Sequence, residues 1–420
     1  MSEAAAPELL IAGKVVTSKG VFAPGWVATV RGEITGVGEG RPVGPARDLG
    51  DAVLVPGFVD AHVHGGGGHG YPDADSHHSA GAGRGGDRTA GGPSGAESTA
   101  LAARDAHLAH GTTSSMASLV SAPPAPLLER VRTLSGLVER GELRGIHLEG
   151  PWLAPGRKGA HDPTALRAPE AKEIDELLAA GGGTIRMVTI APELPGALEA
   201  IGRLVDAGLV VAIGHTDADY ETTKRAIDAG ATVATHLFNA MPPLLHREPG
   251  PVLALLEDER VTLELVADGV HLRPELVDWV ERSAGADRVM YVTDAMGAAA
   301  CGDGRYRLGV LDVDVEAGVA TLLGTETIAG STATMDALFR RRAIVAPDRT
   351  AANEAGASDA ALVAAAKLTA TNPARAMGWN EVGDIAVGKR ADLVVLDRAL
   401  AVREVIRAGR TIESAAARAR

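Results

Sequence analysis

Val53-Leu-Val-Pro-Gly-Phe-Val-Asp60-Ala-His62-Val-His64 runs straight into four glycines, Gly65 to Gly68. The stretch is mostly apolar and ends in two histidines one residue apart. Side chains on a strand alternate between faces, so both imidazoles leave the same face. Two neutral imidazoles converging at a strand end suit a zinc-type metal. Chance pairs and satisfied core histidines share this spacing, but an apolar strand before it and a glycine loop after it favour ligation here. The glycines are not a phosphate loop, because no Gly-Lys-Ser/Thr follows them. The reading is a first strand, 53–64, that ends in the candidate metal ligands His62 and His64.

Beyond it, strand-like and helix-like stretches alternate. Candidate strands cover 112–120, 144–150, 184–192, 209–216, 231–240, 260–272 and 288–297, which with 53–64 makes eight. Helical patterns fill the intervals at 98–110, 127–139, 169–179, 196–207, 219–229 and 274–284. Eight β-α units predict an α/β fold of the (β/α)8 TIM-barrel type. The connection 240–260 reads as mostly loop, 302–328 as a β-hairpin excursion, and 331–346 and 358–370 as helices that close the barrel. Asn372-Pro-Ala reads as a helix stop without chemistry.

The two chain ends carry a different pattern of short β segments broken by glycine and proline: 9–12, 14–17, 25–30 and 33–37 at the start, 383–387, 391–396 and 402–408 at the finish. Neither set buries a core alone. Residues 1–56 and 380–420 are therefore expected to form one small β-sandwich domain beside a barrel at 57–379. Segment 69–95, rich in Gly, Ala and Ser, reads as a mobile surface loop, with His69, His77 and His78 as solvated loop histidines.

Composition excludes several function classes. The 420 residues are 45% hydrophobic and only 3% aromatic, so the core is aliphatic. A net charge of −13 argues against a nucleic-acid or anionic-membrane surface and leaves any anionic ligand to local cations. The single cysteine, Cys301, rules out an intrachain disulfide and fits a reducing compartment. No apolar run approaches the ~20 residues of a membrane span, and the start lacks a signal-peptide pattern, so the expectation is a soluble cytoplasmic protein.

The remaining chemistry sits where a barrel keeps its active site, at the C-terminal strand tips. Gly145-Ile-His-Leu-Glu149 ends the third strand in a carboxylate, and Val211-Ala-Ile-Gly-His215 ends the fifth in a histidine. Ala234-Thr-His236 does the same for the sixth, and Tyr291-Val-Thr-Asp294 ends the eighth in an aspartate. Each alone is more often structural than catalytic. Six N/O donors at the same end of different strands point to a metal site.

His-x-His on the first strand, with His215, His236 and Asp294 at later tips, resembles the amidohydrolase superfamily of metal-dependent hydrolases. Many of its members bridge two metals with a carboxylated lysine on the fourth strand, and 184–192 offers no lysine. Glu149 in His-Leu-Glu-Gly-Pro supplies a carboxylate instead. Together with Thr-His236-Leu-Phe-Asn-Ala-Met, Arg247-Glu-Pro-Gly, Ala-Asp-Gly-Val-His271, Thr-Asp294-Ala-Met and Ile328-Ala-Gly-Ser-Thr, it resembles the N-acetylglucosamine-6-phosphate deacetylase family across nearly the whole chain.

That resemblance implies an enzyme of amino-sugar catabolism that hydrolyses an acetamide with a divalent metal, zinc being the expected ion. Glu149, His215 and His236 match the ligands of the metal present throughout the family. His62 and His64 match a pair found in some members, which would create a second metal position, so one or two ions per subunit are expected, with Asp294 counted among the metal residues. Asp294 matches the catalytic acid/base and His161 a histidine near the acetamide. Ala160, His161, Asn239, Ala240, His271, Ile328, Ala329 and Gly330 match substrate-binding positions. Arg247 matches an arginine that reaches the sugar phosphate from the neighbouring subunit of a homodimer, with His246 beside it. Two rival expectations are another amidohydrolase, a cyclic amidase or deaminase without a phosphate clamp, and a noncatalytic binding protein on the same fold.

Overall fold

The computed structural model describes residues 8–71, 95–344 and 357–412. Parallel strands β1 (Phe58–Asp60), β2 (Thr112–Leu119), β3 (Gly145–Glu149), β4 (Ile185–Ile190), β5 (Val210–Ile213), β6 (Val233–Ala234), β7 (Thr262–Leu265) and β8 (Val289–Tyr291) pair in sequence order in one eight-stranded sheet. The seam between β8 and β1 closes just past the strand tips. There Val63 bridges Ala295, His64 N–H donates to Ala295 O at 2.7 Å, and Asp294 N–H donates to His62 O at 2.8 Å. The sheet is thus a nearly closed TIM-type barrel, and its seam ties the histidine pair to Asp294.

The first strand is not continuous. Val53–Pro56 belongs to a separate sheet, parallel to Lys14–Thr17 and antiparallel to Leu393–Leu396, and the barrel strand begins only after Gly57. A Cβ at Gly57 would run into the side chains of Thr113 and Asp392, so only glycine lets the chain cross between the two units there. Both halves are fully buried, which is why apolar content alone reads as one strand. Alternation still carries past β1, and the His62 and His64 Nε2 atoms lie 3.0 Å apart.

Helices α1 (Gly95–Ala109), α2 (Pro124–Glu139), α3 (Ala171–Gly181), α4 (Ala197–Asp206), α5 (Tyr220–Asp228), α6 (Gly250–Glu257), α7 (Pro274–Ala284), α8 (Met335–Ile344) and α9 (Asp359–Ala366) cover the barrel. In α4 the buried residues Ala197, Ala200, Ile201 and Leu204 form the i, i+3, i+4, i+7 stripe of a helix lying on a sheet. In α5, Asp219 caps the N-terminus by accepting Thr222 N–H at 2.7 Å. Helix α6 replaces the expected loop. Gly250-Pro251 marks its first turn rather than a break, and Val252, Ala254, Leu255 and Leu256 are all buried, so no amphipathic period betrays it. Among the described residues no helix is long and apolar enough to cross a membrane.

Several boundaries also differ. The expected strands 231–240, 260–272 and 288–297 end at Ala234, Leu265 and Tyr291, because the chain turns out of the ladder to present its tip residues. The excursion at 302–328 is a three-stranded meander, Gly304–Leu308, Leu311–Glu316 and Val319–Leu322, rather than a simple hairpin. Segment 383–387 forms no strand, although Ile385 joins the small domain's core. His77, His78 and most of 69–95 lie outside the described residues, but His69–Gly70 pairs with Gly65–Gly66 and Gly95 opens α1. Cys301 is free and exposed.

Away from the barrel, strands from both chain ends make two sheets. One has four strands; the other has six, ordered Arg410–Ile412, Val402–Arg407, Leu393–Leu396, Val53–Pro56, Lys14–Thr17, Gly20–Phe22. Leu10, Val27 and Ile34 of the first pack with Val15, Leu54, Leu393, Val395 and Ile406 of the second. The result is a small sandwich built from residues more than three hundred positions apart, as the short β segments implied.

Asn372-Pro373 does not stop a helix. Helix α9 continues through a π-type turn, Lys367–Thr371, into Asn372–Ala376, with Asn372 N–H donating to Lys367 O. The wider turn carries the backbone past a proline that has no N–H to give. The Asn372 side chain, 1% exposed, donates to Ala286 O at 2.8 Å and Val289 O at 2.7 Å, which pins this turn to the start of β8. Asn372→Ala strands buried carbonyls and should cost about 1–3 kcal/mol. Chemical denaturation curves that superimpose on wild type would contradict this role.

Candidate active site and metal centre

Glu149 at the tip of β3 is 3% exposed and stands between two groups of donors. Its Oε1 lies 3.0 Å from both His215 Nε2 and His236 Nε2. Its Oε2 lies 3.1 Å from His64 Nε2 and 3.3 Å from His161 Nε2. Asp294 Oδ1 is 3.3 Å from His64 Nε2 and 3.5 Å from His62 Nε2. Two triads result, Glu149/His215/His236 and His62/His64/Asp294, each buried and with ligand atoms within 4.8 Å of one another. The six donors read from sequence therefore do converge.

Outer hydrogen bonds set which nitrogen faces inward. His62 Nδ1–H points to Glu264 Oε2 at 3.1 Å, His64 Nδ1–H donates to Ser118 O at 3.1 Å, and His215 Nδ1–H donates to Arg157 O at 2.8 Å. Each ring thus presents an Nε2 lone pair. Yet the Nε2 atoms of His62 and His64, and those of His215 and His236, are only 3.0 Å apart. Lone pairs this close repel unless a proton or a cation stands between them. A donor set of imidazoles and carboxylates at this spacing fits a divalent ion.

Electrostatics agree. Burial would raise the pKa of Glu149, but the imidazoles of His62, His161 and His215 hold it well below the ordinary carboxylate range. Burial likewise opposes ionisation of Asp294, and His62 and His64 overcome it. Burial works against a charged His64 as well, but Asp294 and Glu149 push its pKa up to about 9. Burial opposes a charged His62 too, and Glu149, Asp294 and Glu264 raise its pKa well above the ordinary imidazole value. Both shifts show that the surrounding carboxylates favour positive charge at this place. The backbone is also constrained here, with His215, His236 and Asp294 at φ of 48°, 28° and 48°, left-handed values that non-glycine residues rarely adopt.

A cavity of about 370 Å³ opens above the triads. Ala160, His161, Asn239, Ala240, His271, Ile328 and Gly330, all expected at substrate, line it together with His64, Glu149, His215, His236 and Asp294. Ala329 does not; its side chain is fully buried beneath the meander, against the cluster of Val120, Met296 and Val313. Arg247 and His246 are exposed on the loop before α6 and are not among the residues lining this cavity within one chain.

His161 Nδ1 accepts Ser121 N–H at 3.2 Å, which leaves its proton on Nε2, facing the cavity. Burial pushes its pKa down to about 4, so the ring is neutral near pH 7. His271 is held by Asp268 at 2.8 Å, and Asn239 by the His236 carbonyl at 3.1 Å. Sequence reasoning missed Glu264, Ser121 and Arg157. Glu264 left a signal, a lone carboxyl in the apolar Leu263-Glu-Leu-Val; Ser121 and Arg157 sit in loops that give none.

A profile of the Amidohydrolase family matches residues 53–412. The chain belongs to the amidohydrolase family. This amidohydrolase is 47% identical to N-acetyl-D-glucosamine-6-phosphate deacetylase of Mycobacterium smegmatis, a mutant of which is solved in complex with N-acetyl-D-glucosamine-6-phosphate. The match covers 97% of this chain and 99% of that one at a TM-score of 0.86. It is 34% identical over 386 residues to the N-acetylglucosamine-6-phosphate deacetylase of Bos taurus, covering 89% of this chain and 87% of the relative. It is also 35% identical over 359 residues to the N-acetylgalactosamine-6-phosphate deacetylase of Escherichia coli O157:H7, covering 84% and 86%.

Because a proton must leave His64 before its Nε2 can bind an ion, loading the metal-free amidohydrolase should release protons at pH 7, and metal affinity should rise toward pH 9. Calorimetric titration with Zn²⁺ in buffers of different ionisation enthalpy measures this. Zero net release at pH 7 would rule out the protonated resting state.

Proposed function

We propose that this amidohydrolase cleaves the acetamide of N-acetylglucosamine-6-phosphate, giving glucosamine-6-phosphate and acetate. The observation that carries the reading is the pair of buried donor triads beneath a 370 Å³ cavity. Its chemical class is narrowed by a relative, 47% identical, that is solved with that sugar phosphate. An acetamide is a poor electrophile with a poor leaving group, so its hydrolysis needs an activated nucleophile, a polarised carbonyl and a proton for nitrogen.

Glu149, His215 and His236 would hold one divalent ion, and His62, His64 and Asp294 offer a second position. The donor chemistry favours zinc. Such an ion, when bound, makes water acidic enough to supply hydroxide near pH 7 and polarises a carbonyl. Asp294, held ionised at the cavity wall, takes the proton of the attacking water and returns it to the departing amine. His161 donates from Nε2–H to the carbonyl oxygen as it gains charge, a role supported by the Ser121 N–H that keeps its other nitrogen unprotonated. Asn239, Ala240 and His271 line the cavity where the sugar would lie.

The phosphate needs a cation in a chain of net charge −13. Arg247 offers a planar guanidinium on an exposed loop, and its position outside its own chain's cavity supports a homodimer in which it reaches the neighbouring site. The phosphorylated substrate and the lone exposed cysteine favour a cytoplasmic location. A second reading, the galactosamine epimer as substrate, is favoured by the likeness to the Escherichia coli enzyme.

Acetate release from the two epimeric sugar phosphates and from unphosphorylated N-acetylglucosamine tests the assignment. Asp294→Asn should lower kcat on the order of 10³-fold while an ion stays at Glu149, His215 and His236. Arg247→Ala should raise KM for the phosphorylated sugar and leave the unphosphorylated one nearly unchanged. A fully active Asp294→Asn defeats the mechanism, and equal turnover of both sugars by wild type defeats the phosphate clamp.

A further inference from the structure

Glu264 lies in the middle of the apolar strand β7 with no exposure, and nothing in the catalytic scheme above uses it. One of its oxygens, Oε2, takes two hydrogen bonds. It accepts His62 Nδ1–H at 3.1 Å and the backbone N–H of His236 at 3.2 Å. These donors belong to different triads, His62 to the one with His64 and Asp294, His236 to the one with Glu149 and His215. The main chain adds a third tie, Leu237 N–H to Glu264 O at 2.9 Å, so the turn that carries His236 is fastened to β7 from both sides.

We propose that Glu264 is a positioning residue that fixes His62 as an Nε2 donor and holds the two triads in mutual register. The outer partners of the histidines are unequal. His64 and His215 rest on peptide carbonyls, Ser118 O and Arg157 O, whereas His62 alone among them rests on a carboxyl group. A carboxyl acceptor on Nδ1–H selects the tautomer with a free Nε2 and strengthens that nitrogen as a donor more than a carbonyl does. The same oxygen anchors the peptide N–H of His236, whose φ of 28° has little intrinsic preference to persist. A displaced Glu264 therefore loosens both ends of the centre at once. Losing such an outer partner lowers metal affinity about 10–100-fold.

The inference rests on the reading that the triads bind divalent ions, and Co²⁺ titration of the metal-free protein separates the two. Absorption in the visible reports coordination, and chelator competition reports affinity, for wild type, Glu264→Gln, Glu264→Asp and Glu281→Gln. Glu281 is another buried acidic side chain, bonded to Tyr291 and Arg342 and outside both triads, so it controls for general loosening of the core. The expected result is a 10–100-fold loss of Co²⁺ affinity with an altered spectrum in Glu264→Gln, a smaller loss in Glu264→Asp, and wild-type values in Glu281→Gln. Unchanged affinity and spectrum in either Glu264 variant, or the same loss in Glu281→Gln, overturns the positioning role while leaving the metal centre intact. Failure of wild type to bind Co²⁺ removes the centre itself and the proposal with it.

Discussion

A buried carboxylate must be met by positive charge or hydrogen-bond donors, and Glu149 is met by four imidazole nitrogens within 3.3 Å. Those nitrogens come from four widely separated parts of the chain, so the requirement can be satisfied only when the strand tips are gathered at one mouth. The barrel supplies that gathering. Its apolar layers hold the strands in parallel and in order, so the ends of β1, β3, β5, β6 and β8 bring their donors together.

The same mouth is where the backbone is least relaxed. His215, His236, Ala240 and Asp294 all have positive φ, and the first, second and last of these stand just past the ends of β5, β6 and β8. Such conformations persist only where the surroundings over-determine them. The surroundings here are specific: Ser331 N–H on Asp294 O, Ala154 N–H on His215 O, and Thr216 N–H on Ala240 O. Barrel closure contributes too, because His64 and Asp294, which with the Val63–Ala295 bridge join the first and last strands, also line the cavity.

Much of this was legible in the sequence, for definite reasons. A donor that ends an apolar run stands out, which is why the convergence of Glu149, His215, His236 and Asp294 could be read directly, and resemblance added positions 160, 161, 239, 240 and 271, which line the cavity. What escaped had no pattern to give. The break at Gly57 separates two runs of equal hydrophobicity, so no change of period marks it. Helix α6 is apolar on every side and begins with the residues that usually end helices. Asn372-Pro373 obeys the rule for a helix stop, and a wider turn overrides it. Ala329 sits in a motif whose neighbours reach the cavity, yet its own methyl faces the packed side of the meander. Glu264 was visible as an oddity in a strand, but its partners at positions 62 and 236 are set by the tertiary fold alone.

The small sandwich has an implication for how the molecule comes together. Its central pair joins Val53–Pro56 to Leu393–Leu396, so the segment that leads directly into the first barrel strand lacks its antiparallel neighbour until all eight barrel strands have been synthesised. Closing so large a loop is entropically expensive and is repaid only by contacts made late. The barrel can assemble while the emerging chain lengthens, whereas the sandwich acts as a final clasp, and a chain released early would leave one edge of Val53–Pro56 unpaired and open to the wrong partner.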